Sequence, residues 1–408
     1  MADYADVVIV GAGAAGLMAG IWAGRTNPKR RIVLLDSAQK LGAKILVAGG
    51  GRCNVTHEVV DETAYAGSSR NAIKKVLKRF DVPPTVEFFR ELGVELKREE
   101  TGKLFPMTDS ARTVLDALLR AARTANVNIL HPRRVQKIDK QGDVFHVAGD
   151  WGSIETPKVV LATGGRSLPK SGSDGHGYSM ARALGHHLTA RIFPALVPLT
   201  LPKDHFICEL SGVTVIATLE VRSNTGKQLV GFTDSTLCTH FGLSGPSVLD
   251  ISRYYINARF DDPDAALRIN WLPGKMSEQV EMELQKLGKT TVLRYLSGQV
   301  PERLLRALCA EAGVEPVTAG DQLPREARRA LVTVLTQCPL PITGNRGYTY
   351  AEVTAGGVPL SEVRLETMES RVCPGLYLCG EICDVDGRIG GYNFQWAWAS
   401  GYVVGVSV

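Results

Sequence analysis

The sequence predicts an α/β fold whose main domain is assembled from both ends of the chain. Its first apolar run, Val7–Val10, leads directly into three glycines spaced Gly11-x-Gly13-x-x-Gly16, the order of a strand, a tight turn and a helix. From about residue 192 short β-branched runs alternate with turns, and near residue 341 a glycine-rich β pattern returns. We therefore expect a domain interrupted by a β-rich insert, which itself carries a helical insert.

The elements of the first part follow from apolar periodicity. Residues 1–36 predict a β-α-β unit and residues 37–56 a glycine-rich loop. A buried strand begins at Val159 and ends in the glycine turn Gly164-Gly165. The other predicted helices are 69–80, 83–92, 110–126 and 176–186, and the other predicted strands are 127–131, 134–139, 144–148 and 153–155.

The changes of pattern set the predicted domain boundaries. The runs 213–221 and 228–232 flank a Ser-Asn-Thr-Gly turn, as expected for antiparallel strands or a small barrel. Residues 276–336 instead show Leu, Arg and Glu at helical spacing. The predicted domains are residues 1–190 with 346–408 for the main domain, 191–274 with about 337–345 for a β-barrel insert, and 275–336 for a helical insert.

The glycines of the first turn indicate a dinucleotide site of the Rossmann type. Gly11 permits the tight turn, Gly13 lets a pyrophosphate approach the backbone, and Gly16 allows close helix–strand packing. The phosphates would lie on free N–H groups at the positive end of the helix. The next strand, 31–35, ends in Asp36, about 20 residues after the last glycine, where a carboxylate is expected to hold the ribose hydroxyls.

The same N-terminal run could be mistaken for a signal peptide or a membrane span. Residues 7–24 are uncharged and mostly apolar. Asp3 and Asp6 stand where a signal peptide would carry positive charge, and the glycines lower the hydrophobicity of the run. We expect a soluble, cytoplasmic enzyme with no membrane partner.

Composition excludes several classes of site. The eight cysteines lie at 53, 208, 238, 309, 338, 373, 379 and 383, and none form a CxxC pair. No Cys/His cluster has zinc spacing, so we expect no metal. The net charge of +5 is uneven, because residues 70–137 hold 15 Lys/Arg against 8 Asp/Glu. That basic region is either a solvated helix face or an RNA-facing surface, and its few aromatic residues argue against base stacking.

A series of sequence blocks resembles one family, the BaiN/RdsA-like (YhiN-like) FAD-dependent NAD(P)H oxidoreductases. The blocks occur in family order and span nearly the whole chain. They are residues 11–16, 49–56, 162–165 with 172–178, 239–246, 353–358, 367–370 and 380–401. The resemblance implies a Rossmann-like FAD-binding domain built from both chain ends, with a β-barrel insert and a small helical insert.

The resemblance also implies which residues bind FAD. Lys44 and the loop 50–54 would approach the flavin ring, Val135 would bind adenine through backbone atoms, and Glu381 would bond the ribityl chain or a phosphate. The residues expected at the cofactor are Gly11, Gly13, Ala14, Ala15, Gly16, Asp36, Lys44, Gly50, Gly51, Arg52, Asn54, Val135, Thr163, Gly164, Gly165, Gly380, Glu381, Gly390, Gly391, Tyr392 and Asn393.

Some roles stay open at this point. Arg52 could pair with phosphate or pin its loop. Asp36 stands where glutamate is usual, and a shorter carboxylate can still accept the bond. Cys379 and Cys383 replace apolar residues and could pair, although two packed thiols are favoured. Residues 390–393 are either a structural turn or the start of a helix whose N–H groups face the flavin N1/C2=O edge.

Three side chains are candidates for catalysis. Cys53 lies in the glycine loop, and its thiol could protonate substrate carbon opposite the arriving hydride. The alternative is a buried loop thiol without chemistry. His240 could line the substrate pocket or be structural. Tyr392 could stack on substrate or on the ring.

No second GxGxxG follows a strand, so NADH or NADPH would visit transiently, or the substrate itself would supply electrons. The first functional hypothesis is NAD(P)H-fed reduction of an electron-poor C=C bond in a small molecule or in RNA. Within it, the resemblance includes enzymes that form dihydrouridine in ribosomal RNA. The alternatives are an oxidase or dehydrogenase of a small amine or an activated C–C bond, and a non-catalytic flavin redox sensor.

Overall fold

The computed structural model describes residues 3–408 and divides them into two compact units. The first unit contains the residues up to Pro194 together with Glu352–Val408, and the second contains Ala195–Ala351. The divisions at 194/195 and 351/352 lie close to the predicted limits at 190/191 and 345/346.

Helices and strands are interspersed along the described residues. The helices are α1 (Ala14–Thr26), α2 (Ala43–Gly51), α3 (Arg70–Leu77), α4 (Val82–Glu91), α5 (Ala111–Thr124), α6 (His176–Ala183), α7 (Phe206–Glu209), α8 (Pro246–Asp261), α9 (Ser277–Gln285), α10 (Val292–Leu296), α11 (Glu302–Glu311), α12 (Arg325–Thr336) and α13 (Tyr392–Ser407).

Most of the strands are short. They are β1 (Asp3–Tyr4), β2 (Val7–Val10), β3 (Ile32–Leu35), β4 (Thr56–His57), β5 (Tyr65–Gly67), β6 (Leu96–Arg98), β7 (Lys103–Pro106), β8 (Val127–Leu130), β9 (Lys137–Gln141), β10 (Val144–Gly149), β11 (Gly152–Thr156), β12 (Val159–Leu161), β13 (Phe193–Ala195), β14 (Leu199–Thr200), β15 (Thr214–Arg222), β16 (Gln228–Thr239), β17 (Gly242–Ser244), β18 (Ala266–Asn270), β19 (Cys338–Leu340), β20 (Gly344–Asn345), β21 (Val353–Ala355), β22 (Val363–Arg364), β23 (Glu369–Ser370), β24 (Leu376–Leu378) and β25 (Val385–Gly387).

The core of the first unit is a seven-stranded sheet of order β22-β23-β24-β12-β2-β3-β8. The strands from β24 to β8 are parallel, with Val8 opposite both Val33 and Val159. The central strand β2 is buried along its whole length, as expected when helices cover both faces of a parallel sheet. This topology confirms the predicted α/β class and the Rossmann-type β-α-β start.

Helix α13 packs closely against α1, although the two come from opposite parts of the chain. A Cβ atom at Gly401 would lie 2.6 Å from the Ala15 carbonyl oxygen, and one at Gly405 would lie 2.7 Å from that of Ala19. Glycines at these positions therefore let the two backbones approach within contact distance. Because later residues of α13 meet later residues of α1, the two helices run in the same direction.

Three smaller sheets lie wholly within the first unit. Their orders are β1-β11-β10-β9, β4-β7-β6 and β25-β5. The pairing of β25 with β5 is antiparallel and sets Asp386 opposite Ala66. It attaches the segment before α13 to the segment that follows the glycine loop.

The second unit is built on a seven-stranded antiparallel sheet of order β19-β18-β15-β16-β17-β14-β20. Its own core includes Leu219, Ile269 and the fully buried Trp271. Helices α9–α12 contribute Leu284, Leu304 and other apolar side chains to that core. The sheet order has two ends, β19 and β20, and the barrel stays a prediction.

Helices α2, α7 and α8 were not predicted from the sequence. Helix α2 lies within the predicted glycine loop, because Ala43–Val47 are competent helix residues that precede the left-handed Gly49 and Gly50. Helix α8 lies where only β structure was expected. Its Val, Ile and Tyr residues favour strands, but Pro246 at the first helical turn is a signal for a helix start.

Among residues 3–408, every helix is too short or too polar to cross a membrane.

The buried Gln395 provides a test of how α13 is held. Its Oε1 accepts from Thr56 Oγ1 at 2.7 Å, and its Nε2 donates to the Phe80 carbonyl at 2.8 Å. We expect Gln395→Leu to lower the free energy of unfolding by about 2–3 kcal/mol, since the Thr56 hydroxyl and the Phe80 carbonyl lose their partners. Equilibrium urea unfolding measures this. The exposed Gln141→Leu is the control, and equal losses in both variants would contradict the role of the amide.

Candidate functional site

The turn between β2 and α1 has the shape that the three glycines predict. Gly11 has a φ of 106°, and a Cβ atom there would lie 2.4 Å from the Ala162 carbonyl oxygen. At Gly16 a Cβ atom would lie 1.9 Å from the Gly11 carbonyl oxygen. Both positions therefore exclude any side chain and bring the start of α1 against the end of β2 and β12.

Gly13 differs, because it is a glycine with free space beside it. It is the N-cap of α1 at a φ of −77°, which any residue can adopt. A Cβ atom at Gly13 would meet nothing within 4 Å. No side chain caps this helix start, so its first N–H groups and the positive end of the helix dipole face that space. An anionic group fits there.

Asp36 fixes the same turn from the end of β3. One carboxylate oxygen accepts from Ala12 N at 2.6 Å, and the other accepts from Ala38 N at 2.7 Å. A carboxylate has room for further hydrogen bonds beyond these two. Asp36 can therefore hold the turn and still accept from a ribose hydroxyl.

Unpaired buried hydroxyl groups lie beside the glycine turn that follows β12. Within residues 3–408 no hydrogen bond satisfies Thr163 Oγ1 or Ser173 Oγ, although both are buried. A Cβ atom at Gly177 would lie 1.8 Å from Thr163 Oγ1, and one at Gly164 would lie 2.7 Å from Ser173 Oγ. Buried polar atoms without partners are rare, and these two hydroxyl groups fit a polar ligand beside the turn.

A second set of contacts joins α2 to the segment before α13. Lys44 Nζ forms an ion pair with Glu381 Oε2, and Glu381 Oε1 accepts from Thr354 N at 2.9 Å. Gly165 lies against this group, since a Cβ atom there would be 2.7 Å from Glu381 Oε1. The structure thus brings three residues expected at the cofactor, Lys44, Gly165 and Glu381, into one cluster.

The glycine loop after α2 is pinned from outside. Arg52 Nη1 lies 2.5 Å from Glu99 Oε1, and its guanidinium lies 4.0 Å from the centre of the Phe105 ring. These contacts favour the loop-pinning interpretation of Arg52 over a phosphate contact. The buried Asn54 Oδ1 has no partner within the described chain, which fits a ligand beside this loop. Gly50 and Gly51 are both left-handed.

Cys53 follows directly in the left-handed region, with a φ of 62°. It is fully buried, and its N–H donates to the Ala48 carbonyl at 2.9 Å. Burial raises the pKa of the Cys53 thiol to about 12. The group is therefore a protonated thiol at neutral pH, able to give a proton but not to act as a thiolate nucleophile.

The start of α13 is a second uncapped helix terminus. Gly391 is the N-cap with a φ of 97°, and a Cβ atom there would lie 2.6 Å from the Thr56 backbone. No side chain caps the helix. The Asn393 side chain is used structurally, because its Oδ1 accepts from Gly387 N and its Nδ2 donates to the Gly387 carbonyl.

Tyr392 has an aromatic neighbour that the sequence did not suggest. The His57 ring stacks on Tyr392 with centroids 5.1 Å apart and planes at 19°. The hydroxyl of Tyr65 donates to the Tyr392 carbonyl at 2.7 Å. A Cβ atom at Gly390 would lie 3.8 Å from His57 Cδ2, so this pair borders the helix start. His57 follows the block 49–56 directly, and that position was the only signal.

The two uncapped helix starts are offset along the chain direction. Gly401 of α13 meets Ala15 of α1, so α13 begins about two turns before the level at which α1 begins. At 1.5 Å per residue the offset is roughly 12 Å. The two positive helix ends therefore lie roughly 12 Å apart along the common helix direction, a spacing that an extended dinucleotide can span.

The remaining predicted residues lie as follows. Val135 precedes β9 and is outside its pairing, so its backbone groups stand apart from the sheet ladder. Gly380 N donates to Ser400 Oγ at 3.0 Å. Cys379 and Cys383 are separate buried thiols. His240 belongs to the second unit, where its ring meets Phe241 edge-to-face, and its catalytic role stays a prediction.

The described residues lack the ligand sets that metal ions require. Among residues 3–408, His, Cys, Asp and Glu side chains form no group of three or more arranged to hold a metal ion.

Comparison with known proteins gives similarity over nearly the whole chain. Residues 5–407 match the model of the HI0933-like protein Rossmann domain. The chain is 35% identical over 402 residues to a 3-dehydro-bile acid delta(4,6)-reductase of Clostridium scindens, covering 97% of each chain. It is also 35% identical over 403 residues to a ribosomal RNA dihydrouridine synthase of Escherichia coli, covering 97% of this chain and 96% of that protein.

Solved structures share the fold at low identity. A quinol fumarate reductase of Escherichia coli superposes with a TM-score of 0.54 at 15% identity, covering 100% of this chain and 70% of that one. A 3-ketosteroid delta1-dehydrogenase of Sterolibacterium denitrificans gives a TM-score of 0.54 at 14% identity, covering 99% of both chains.

Because there is free space beside Gly13, a substitution there can test ligand binding without disturbing the fold. We expect Gly13→Ala to leave the thermal midpoint of the cofactor-free protein unchanged, because the added methyl group meets no atom. The same methyl group would occupy the position of a bound pyrophosphate, so FAD affinity should fall at least about tenfold. Quenching of FAD fluorescence on titration measures this. Gly344→Ala is the control in an ordinary contact, and unchanged affinity in Gly13→Ala would remove the pyrophosphate from this turn.

Proposed function

The chain belongs to the HI0933-like family of Rossmann-domain flavoprotein oxidoreductases, and from this premise we propose that it is an FAD-dependent reductase, fed by NAD(P)H, that saturates uridine in ribosomal RNA. The observation that supports the proposal is the pair of uncapped helix starts, at Gly13 and Gly391, on two packed helices that run in the same direction.

The residues present fit FAD as the cofactor. Gly13 offers space and helix N–H groups for a diphosphate, and Asp36 has free acceptor capacity for a ribose. Thr163 and Ser173 supply buried hydroxyl groups in need of partners. When bound, FAD supplies hydride transfer chemistry, and the protein supplies binding, orientation and electrostatics.

The type of reaction is better supported than the substrate. The two relatives at 35% identity are named for different substrates, a bile acid and ribosomal RNA. Both names describe addition of two hydrogens to a carbon–carbon double bond of a ring. The names of both relatives therefore support reduction of an electron-poor C=C bond as the proposed chemistry of this chain.

The chain's own residues would contribute to the reaction in two ways, by stabilising negative charge and by donating a proton. With FAD bound in the proposed way, the positive dipole end at the start of α13 would stabilise the negative charge that gathers on the ring on reduction. The Cys53 thiol stays protonated and can hold the proton for the second carbon. Tyr392 and His57 form a stacked surface on which a planar base could lie.

The basic region favours RNA over a small acid as substrate. Of its 15 cations, Lys74, Arg90, Lys97, Arg98, Arg134 and Lys137 form ion pairs. The other nine form none with the described part of the chain. Unpaired surface cations are free to contact phosphates, which gives sequence-independent affinity for a nucleic acid. The target base would then be extruded to reach the site.

The first experiment follows flavin absorbance anaerobically after addition of NADH or NADPH to the FAD-loaded protein. Rapid bleaching, followed by reduction of uridine in ribosomal RNA, is the expected result. Bleaching with turnover of a conjugated steroid ketone but not of RNA would indicate that the substrate is a small molecule and not ribosomal RNA. Absence of bleaching with either donor would overturn the reductase and indicate an oxidase or dehydrogenase that its own substrate reduces.

Replacement of the thiol tests the proton donor. We expect Cys53→Ala to bind FAD and to bleach with NAD(P)H, yet to lose at least about tenfold in product formation, since general acid catalysis contributes on this scale or more. Cys373→Ala, another buried thiol of the first unit, should retain full activity. Unchanged turnover in Cys53→Ala would show that the thiol has no acid role.

The raised pKa also fixes the expected pH profile. A thiol with a pKa of about 12 keeps its proton through neutral and mildly alkaline pH. The acid role would therefore cause no loss of rate as pH rises until that pKa is approached. A fall in the wild-type product-forming step near the ordinary thiol pKa of about 8.5, absent from Cys53→Ala, would contradict the assignment.

A further inference from the structure

A groove on the first unit is lined by residues that are not among those assigned to the cofactor, although Arg112 and Arg123 of its lining belong to the basic region 70–137. It has a volume of about 610 Å³ and runs between α2, α5 and the edge strand β8. This volume lies in the range of sites for small organic ligands. Its floor is aliphatic, from Leu46 of α2, Leu115 and Leu119 of α5, and Ile129 of β8.

The rim of the groove is positively charged. Lys40, Arg112 and Arg123 line it, and His131 lies at the end of β8. The three Lys and Arg side chains form no ion pair within residues 3–408, and none of the described lining residues is acidic. Cations in globular proteins are usually solvated or paired, so their placement around an aliphatic floor selects for an anion with an apolar body.

Helix α5 contributes both charged and apolar side chains to the groove. Arg112, Leu115, Leu119 and Arg123 follow one another at spacings of three and four residues, so they share one helix face. Their span is about 16 Å at 1.5 Å per residue. The leucines thus form an apolar strip bounded by an arginine at each end.

The connection from α5 to β8 places more charge at one end of the groove. Only residues 125–126 separate the two elements, so Arg123 lies beside the start of β8 and Arg112 beside its end. His131 follows that end, and its Nδ1 lies 3.3 Å from the Ala38 carbonyl oxygen, close to Lys40 in the chain. One end therefore gathers Lys40, Arg112 and His131, and the leucines lead away from it.

We propose that this groove binds a free, single-chain amphipathic carboxylate, with the carboxylate at Lys40 and Arg112 and the alkyl chain on Leu115 and Leu119. The lining residues are not among those assigned to the dinucleotide, and the proposal does not depend on the proposed function. An amphiphile matches both halves of the groove, whereas RNA would leave the aliphatic floor without a partner, because base stacking uses aromatic side chains.

Calorimetric titration of the FAD-loaded protein with dodecanoate, below its micelle concentration, tests the proposal. We expect saturable binding of one molecule, and at least about tenfold weaker binding of the neutral dodecanol, since the charge-assisted hydrogen bonds are lost. Arg112→Gln should weaken dodecanoate binding about tenfold. Arg120→Gln, an exposed arginine of the same helix that does not line the groove, should bind within about twofold of wild type.

Leu119→Gln tests the floor independently of the charges, and we expect it also to weaken dodecanoate at least about fivefold. Flavin absorbance and thermal midpoint confirm that each variant is folded. Three results would overturn the proposal: no saturable binding, equal loss in Arg112→Gln and Arg120→Gln, or an Arg112→Gln effect confined to ribosomal RNA or to phosphatidylglycerol vesicles.

Discussion

Backbone contact between α1 and α13 is the constraint on which the rest of the first unit depends. Gly401 and Gly405 allow α13 to lie directly on α1, and larger residues there would separate the helices. Because the glycine turn leads directly into α1, the contact with α1 fixes the position of α13 relative to that turn. Everything that α13 holds is therefore fixed relative to the place where a diphosphate fits.

Helix α13 in turn holds two loops of the candidate site by hydrogen bonds from its own side chains. Trp396 Nε1 donates to the Gly380 carbonyl at 3.0 Å, and Trp398 Nε1 donates to the Val55 carbonyl at 2.8 Å. The first bond fixes the turn that precedes Glu381, and the second fixes the segment that follows Cys53. Buried indole donors that are satisfied in this way contribute position as well as apolar area.

The sequence was sufficient where the determinants are local. Gly11, Gly13 and Gly16 predict the turn because Gly11 has a positive φ and Gly16 approaches the Gly11 carbonyl within the same β-α unit. Contacts between distant segments could not be predicted this way. The Lys44–Glu381 ion pair and the stacking of His57 on Tyr392 join residues that only the tertiary fold brings together. Helix α8 was missed because side-chain propensity favours strands, and tertiary packing overrides a weak preference.

The interlocked helices have a consequence for biosynthesis. Helix α1 is made first, and α13, which covers it, leaves the ribosome after almost the whole chain has been translated. During that interval the apolar surface of α1 is not yet covered by α13, and strand β12 has not yet paired with β24. Contacts so distant in sequence form slowly, and exposed apolar surface promotes aggregation. A nascent chain of this protein therefore exposes the apolar surface of α1 for longer than a protein whose first domain closes early.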